Sequence, residues 1–233
     1  MRLSSSQLKI IAMISMLIDH VGGSLFPQFI ILRIIGRIAF IIFAFELVEG
    51  FYHTSNFYKY FLRMLLFGLI TEPFFDFAIF NTWYYPQYNN VMFEFVLALM
   101  MMYGFEYNRK FSKGINVIAN LIVFAGMIFL SNLLVTDYYG YGMLIVASFY
   151  FTYNLPKRFY YQLILMFIIN YYLMGAYQIN IFNVYIPVQG FAVLAMIFIY
   201  FYSGEHGKLN KYVGYLFYPL HLFLIGIIRV LFF

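Results

Sequence analysis

Cysteine is absent from the 233 residues, which removes disulfides, thiolate nucleophiles and thiolate metal sites together. Any chemistry must therefore come from oxygen and nitrogen groups. Charge is scarce as well: Asp, Glu, Lys and Arg make up 10% of the chain, against about 25% in a soluble domain. So few charges cannot cover an apolar core with a water-compatible surface. There is no internal repeat, no linker long enough to separate domains, no glycine-rich phosphate loop and no nucleophile elbow. No two histidines share a helix face and no ligand spacing is recognisable, so no metal is expected. What is abundant is apolar surface, 64% hydrophobic and 24% aromatic residues with 31 Phe and 24 Tyr, which excludes disorder and points to a lipid bilayer.

Apolar runs of the length that crosses a bilayer, about 17 to 25 residues, fall near 8–26, 30–51, 58–80, 90–105, 115–135, 139–153, 159–177, 185–202 and 212–232. The fourth and sixth are short, so the reading is about nine spans, with eight to ten allowed. The runs are too long for barrel strands. The fold class is all-α, a polytopic transmembrane helical bundle, with residues 1–233 as a single integral membrane domain. The net charge of +5 does not imply nucleic acid, because the basic residues sit between apolar runs. Arg2 and Lys9, Lys59 and Arg63, Arg109 with Lys110 and Lys113, Lys157 and Arg158, and Lys208 and Lys211 occupy every second loop. The intervening loops carry none, apart from Arg229 near the last end. Lys and Arg favour the cytoplasmic side, so the N-terminus is expected inside and the C-terminus outside. Asp19 and His20 interrupt the first run, which makes it a poor secretory signal.

Ionisable groups at membrane depth cost about 2.5 to 3.5 kcal/mol each on insertion scales, so their presence needs a reason. Asp19 and His20 lie past the middle of the first span, Arg33 and Arg37 in the second, Glu72 and Asp76 in the third, Asn90 and Glu94 at the start of the fourth, Asp137 at the next turn and His221 in the last span. Arg33 with Arg37, Glu72 with Asp76, and Asn90 with Glu94 are each four apart and share a helix face. These faces suggest one polar chamber between the bilayer middle and the outer leaflet. Pro73 and Pro219 are expected to kink their helices beside it. Glu46 and Glu49 are expected to pair with Lys59 and Arg63 at the inner end, and His53 and His206 to be solvated. Buried ion pairing that only fixes helix packing competes with a functional reading of Arg33, Arg37, Glu72 and Asp76. A proton-coupled transporter or lipid-headgroup flippase also uses intramembrane acids and histidines, and an anchoring subunit of a secretion assembly is a third class.

The strings LKIIAMISMLIDHVG (Leu8 to Gly22), LRIIGRIAFIIFAFELVEGF (Leu32 to Phe51), the HTSN and KYFLRMLLFGLITEPFFD run (His53 to Asp76), NVMFE (Asn90 to Glu94), DYYGYG (Asp137 to Gly142) and FYPLHL (Phe217 to Leu222) resemble the TraX family. Its namesake acetylates the N-terminus of F-type pilin, and the family is similar to the wider group of multi-pass, acyl-CoA-dependent membrane acyltransferases. The resemblance implies a bacterial inner-membrane acetyltransferase. Acetyl-CoA would be the co-substrate, and the acceptor an amine or hydroxyl of an exported peptide or surface glycan. His20 is then the candidate general base with Asp19 beside it. Arg37 and Arg33 are candidates for the donor, and Glu72, Asp76, Asn90, Glu94, Asp137 and His221 for the acceptor.

Overall fold

The computed structural model describes residues 2–181 and 183–232. They form helices α1 (Ser5–Ser24), α2 (Ile30–Gly36), α3 (Ile38–His53), α4 (Phe57–Phe80), α5 (Val91–Asn108), α6 (Lys113–Leu133), α7 (Tyr139–Thr152), α8 (Arg158–Phe167), α9 (Ala195–Tyr200) and α10 (Lys211–Phe232). A π-helical turn, Ile168–Leu173, continues α8, and a 3₁₀ segment, Val188–Leu194, leads into α9. The side chains of Ile181 and Lys211 lie outside the described set. Helices α3, α5 and α7 are the centre, burying Ile41, Ile42, Leu99, Met101, Met102, Met143 and Ile145. Helix α10 packs on α4 and α1 to one side, while α8 and the 3₁₀ segment close the other.

The outer faces are what a bilayer requires. Along α10, Leu216, Leu220, Leu224 and Ile228 recur every four residues and are 50%, 58%, 58% and 40% exposed, a continuous apolar stripe that water would not tolerate. Helix α6 turns Ile118, Leu121, Ile122 and Phe129 outward and buries Ser131. Polar groups inside and apolar ones outside is the arrangement of a membrane protein. The loops sort between two ends. At one end the chain around Ser5 and Ser6 hydrogen-bonds Glu205 and His206, and Arg158 reaches Glu49 at 3.2 Å. At the other end Asn89 bonds Val135, and Arg229 donates to the carbonyls of Ala78 and Ile79, capping the C-terminus of α4.

The architecture is helical as expected, but nine uniform spans are not seen. Among the described residues, Lys113–Leu133 and Tyr212–Phe232 alone combine the length and the composition of a membrane-crossing helix. Others are short, as α7 with 14 residues, or carry Lys59, Arg63, Glu72 and Asp76, as α4 does. The 30–51 run is interrupted at Arg37. The 185–202 run departs most. Gln178–Ile181 pairs antiparallel with Val184–Pro187, with Asn183 at φ 64° in the tight turn. Pro187 restricts Ile186 to extended backbone, so no helix starts before Val188. Pro73 and Pro219 both sit inside continuous helices rather than at breaks.

Candidate functional site

Asp19 is the hub of the first cluster. Arg33 Nη1 donates to its Oδ2 at 2.7 Å and Arg37 Nη2 to its Oδ1 at 2.6 Å, and Arg33 also holds the Asp19 carbonyl at 2.9 Å. The i, i+4 spacing of the two arginines thus brings both guanidiniums onto one carboxylate, leaving a net charge of +1. The cluster extends through Arg37 Nη1 to Gln189 Oε1 (3.4 Å) and from Gln189 Nε2 to Asn170 Oδ1 (2.9 Å). Asn170 lies in the π-helical turn, a distortion common at functional sites. Sequence reading missed Asn170 and Gln189 because it weighed ionisable groups. A single amide within an apolar run is the same signal in weaker form.

His20 does not take Asp19 as its partner, contrary to expectation, since both carboxylate oxygens are engaged by arginine. Its Nδ1 instead lies 2.7 Å from Nε2 of His221, and His221 Nδ1 lies 2.7 Å from the Phe217 carbonyl. Tyr218 packs on His20 with ring centroids 6.0 Å apart. Asp19, His20, Arg37 and His221 therefore share one neighbourhood at the end of α1 remote from the basic loops. His221, grouped with the acceptor residues from the sequence, belongs with His20.

The remaining acids are held by hydrogen-bond donors rather than by cations. Glu72 Oε2 accepts from the backbone and side-chain amides of Asn90. Asn90 also donates to the Gly68 carbonyl at 3.0 Å and accepts from Met92 N at 2.9 Å, so it is the N-cap of α5. Its side-chain amide is thus occupied on both sides. Glu94, wholly buried, accepts from Ser131 Oγ at 3.0 Å and from Thr136 Oγ1. Asp76 accepts from Tyr85 N at 2.7 Å, and Asp137 from the Tyr88 hydroxyl at 2.8 Å. Buried atoms Glu72 Oε1, Asp76 Oδ1 and Glu94 Oε1 have no hydrogen-bond partner. None of these four acids forms an ion pair among the described residues.

A cavity of about 450 Å³ opens at the basic end. Ser6, Lys9, Met13 and Met16 line it from α1, and Gly214, Tyr215 and Tyr218 from α10. These are successive turns of one face on each helix, and the next positions on those faces are His20 and His221. From Ser6 to Met16 the wall runs about 15 Å at 1.5 Å per residue. The mouth carries Lys9, Arg63, His53 and His206. His53 and His206 meet there edge to face, centroids 5.6 Å apart. Glu46 pairs with Lys9 at 3.2 Å and accepts from Ser5 at 2.6 Å, while Glu49 pairs with Arg158. Lys59 and Arg63 are not their partners, which corrects the expectation from spacing.

Residues 4–229 match the model of the family described as TraX protein. A stretch of 111 residues, 42% of the chain, is 37% identical to a probable fimbrial assembly protein FimC, serogroup H1, of Dichelobacter nodosus, and covers 45% of that protein. Another of 142 residues, 60% of the chain, is 31% identical to an uncharacterized protein of Rickettsia prowazekii (strain Madrid E) and covers 51% of it. The chain spans about half the length of the curated relatives it matches. No solved structure matches.

Proposed function

The chain belongs to the TraX family, and from that membership and the geometry above we propose a multi-pass bacterial inner-membrane acetyltransferase. In this reading acetyl-CoA enters from the cytoplasm, and the acceptor is an amine or hydroxyl of an exported peptide or surface glycan. The fimbrial assembly name of the Dichelobacter nodosus relative favours a pilin-like peptide. The basic end of the bundle is cytoplasmic, following the loop charge bias, and the His20 end faces outward.

One observation carries the proposal: the cavity follows the faces of α1 and α10 from a basic mouth to the turn below His20 and His221. Arg63, in no ion pair among the described residues, suits the nucleotide phosphates of the donor, with Lys9, which the donor would share with Glu46, beside it. The walls of Met13, Met16, Met64 and Phe95 suit a slender arm that must cross the bilayer's inner half. The thioester supplies the activated acyl group. His20 takes the proton from the acceptor N–H or O–H, the acceptor atom bonds the acyl carbon, the C–S bond breaks, and His20 returns the proton to the departing thiolate. Arg33 and Arg37, with one unit of positive charge unmatched by Asp19, stabilise the negative charge that develops on the acyl oxygen. Glu72 and Asp137, unmatched by cations and not fully buried, favour a cationic acceptor such as a peptide α-ammonium, and receive the proton it sheds before attack.

The test is transfer of radiolabel from acetyl-CoA by the purified protein in lipid nanodiscs, together with mass spectrometry of exported peptides and surface polymers from cells with and without the gene. An acetyl group should be missing in the deletion strain, and His20→Ala should lower the transfer rate by about 10² to 10⁴-fold, the usual worth of a general base. Absence of donor binding and transfer, with solute flux into vesicles instead, would establish a transporter and sink the acetyltransferase reading.

A further inference from the structure

We infer that His221 fixes the tautomer of His20, so that the nitrogen left free for proton transfer is His20 Nε2. A backbone carbonyl only accepts, so the 2.7 Å contact between His221 Nδ1 and the Phe217 oxygen requires the hydrogen on His221 Nδ1. His221 is buried and no acid pairs with it among the described residues, so its ring is neutral; a neutral imidazole carries one hydrogen, and His221 Nε2 is a bare lone pair. It lies 2.7 Å from His20 Nδ1, which must therefore donate. The neutral His20 ring then has its hydrogen on Nδ1 and its lone pair on Nε2.

Geometry supports an in-line bond rather than a stack. The two rings are within 11° of parallel with centroids 5.0 Å apart, while the facing nitrogens are only 2.7 Å apart. The rings therefore meet edge to edge in nearly one plane. The Phe217 ring lies on His221 at 4.7 Å and 20°, and His221 is 5% exposed, so the second ring is clamped by its own helix. Asp19 is committed to Arg33 and Arg37. The orienting part that a carboxylate plays in hydrolase triads falls here to a neutral imidazole, which is a positioning residue and not a catalytic one. When His20 Nε2 gains the acceptor's proton, His221 Nε2 keeps accepting the Nδ1–H of the resulting imidazolium. The use of His20 as a base rests on the acetyltransferase reading; the tautomer does not.

Two measurements separate these. ¹⁵N solid-state NMR of the histidine-labelled full chain in lipid, with His20→Gln and His221→Gln spectra for assignment, should show both rings protonated at Nδ1. That is the less common form of free histidine. It should also show a coupling across the His20 Nδ1 to His221 Nε2 bond. A His20 ring protonated at Nε2 overturns the inference even if acetyl transfer is observed, and an Nδ1 result stands even if no transfer is found. If transfer from acetyl-CoA is found, His221→Leu should lower kcat by about 10²-fold with the donor KM unchanged, and His221→Gln, whose amide oxygen can still accept, should recover most of it. Equal damage by Gln and Leu, or a loss shared between KM and kcat, would assign His221 to packing alone.

Discussion

Asp19 can be enclosed by two guanidiniums because the residue facing it is a glycine. A Cβ on Gly36 would overlap the Asp19 carboxylate, and one on Gly142 would overlap that of Glu94, so both acids reach their partners through gaps left by missing side chains. Gly36→Ala should therefore lower stability in detergent by about 1 to 3 kcal/mol, the cost of overpacking. Gly126→Ala on α6, where a Cβ meets nothing within 4 Å, should gain up to about 1 kcal/mol from helix propensity. Thermal unfolding of the two variants checks this, and equal midpoints would contradict the close approach of Gly36 to Asp19. At this scale the sequence discloses which residues are costly to bury, and spacing of four discloses that Arg33 and Arg37 act together. It does not disclose that Glu72 and Asp76, also four apart, hold different groups, Asn90 and the Tyr85 amide. Their donors come from the chain that follows α4, and its path is not a local property.

The N-terminus of α5 joins two helices through one residue. Asn90 caps α5 through its oxygen and holds Glu72 and Gly68 of α4 through its nitrogens. Asn90→Ala removes a cap worth about 1 kcal/mol and takes the side-chain amide donor from both Glu72 and the buried Gly68 carbonyl, leaving Glu72 only the backbone N–H of residue 90, about 1 to 3 kcal/mol more. Denaturant titration should show a loss of about 2 to 4 kcal/mol, and the Asn90→Ala, Glu72→Leu pair should lose less than the sum of the single changes. Strict additivity would mean that the two residues do not interact. Element boundaries were legible where apolar runs ended in loops rich in Lys, Arg, Asn or Pro. They were not legible at Val184–Pro187, where a β-branched and aromatic run continuous in hydropathy with the next helix pairs with Gln178–Ile181 instead. Hydropathy reports burial in lipid, not backbone conformation.

For the whole molecule, the sorting of basic loops to one end yields a direct test of orientation, made simple by the lack of native cysteine. In intact cells a membrane-impermeant maleimide should label Gln28→Cys and Gln87→Cys, while Ser55→Cys and Glu205→Cys should label only after permeabilisation. The reverse pattern, or all four on one side, would end the proposed orientation and with it the cytoplasmic route of the donor. The sequence by itself determined that this chain lives in lipid, that it is helical, and which side chains are anomalous there, because each of these follows from transfer energies and local periodicity. Only the tertiary structure decided who meets whom. Asp19 goes to the arginines rather than to its neighbour His20, and His20 goes to His221, 201 positions away. A helix face can be read from spacing, but the face opposite it is chosen by how all the helices pack at once.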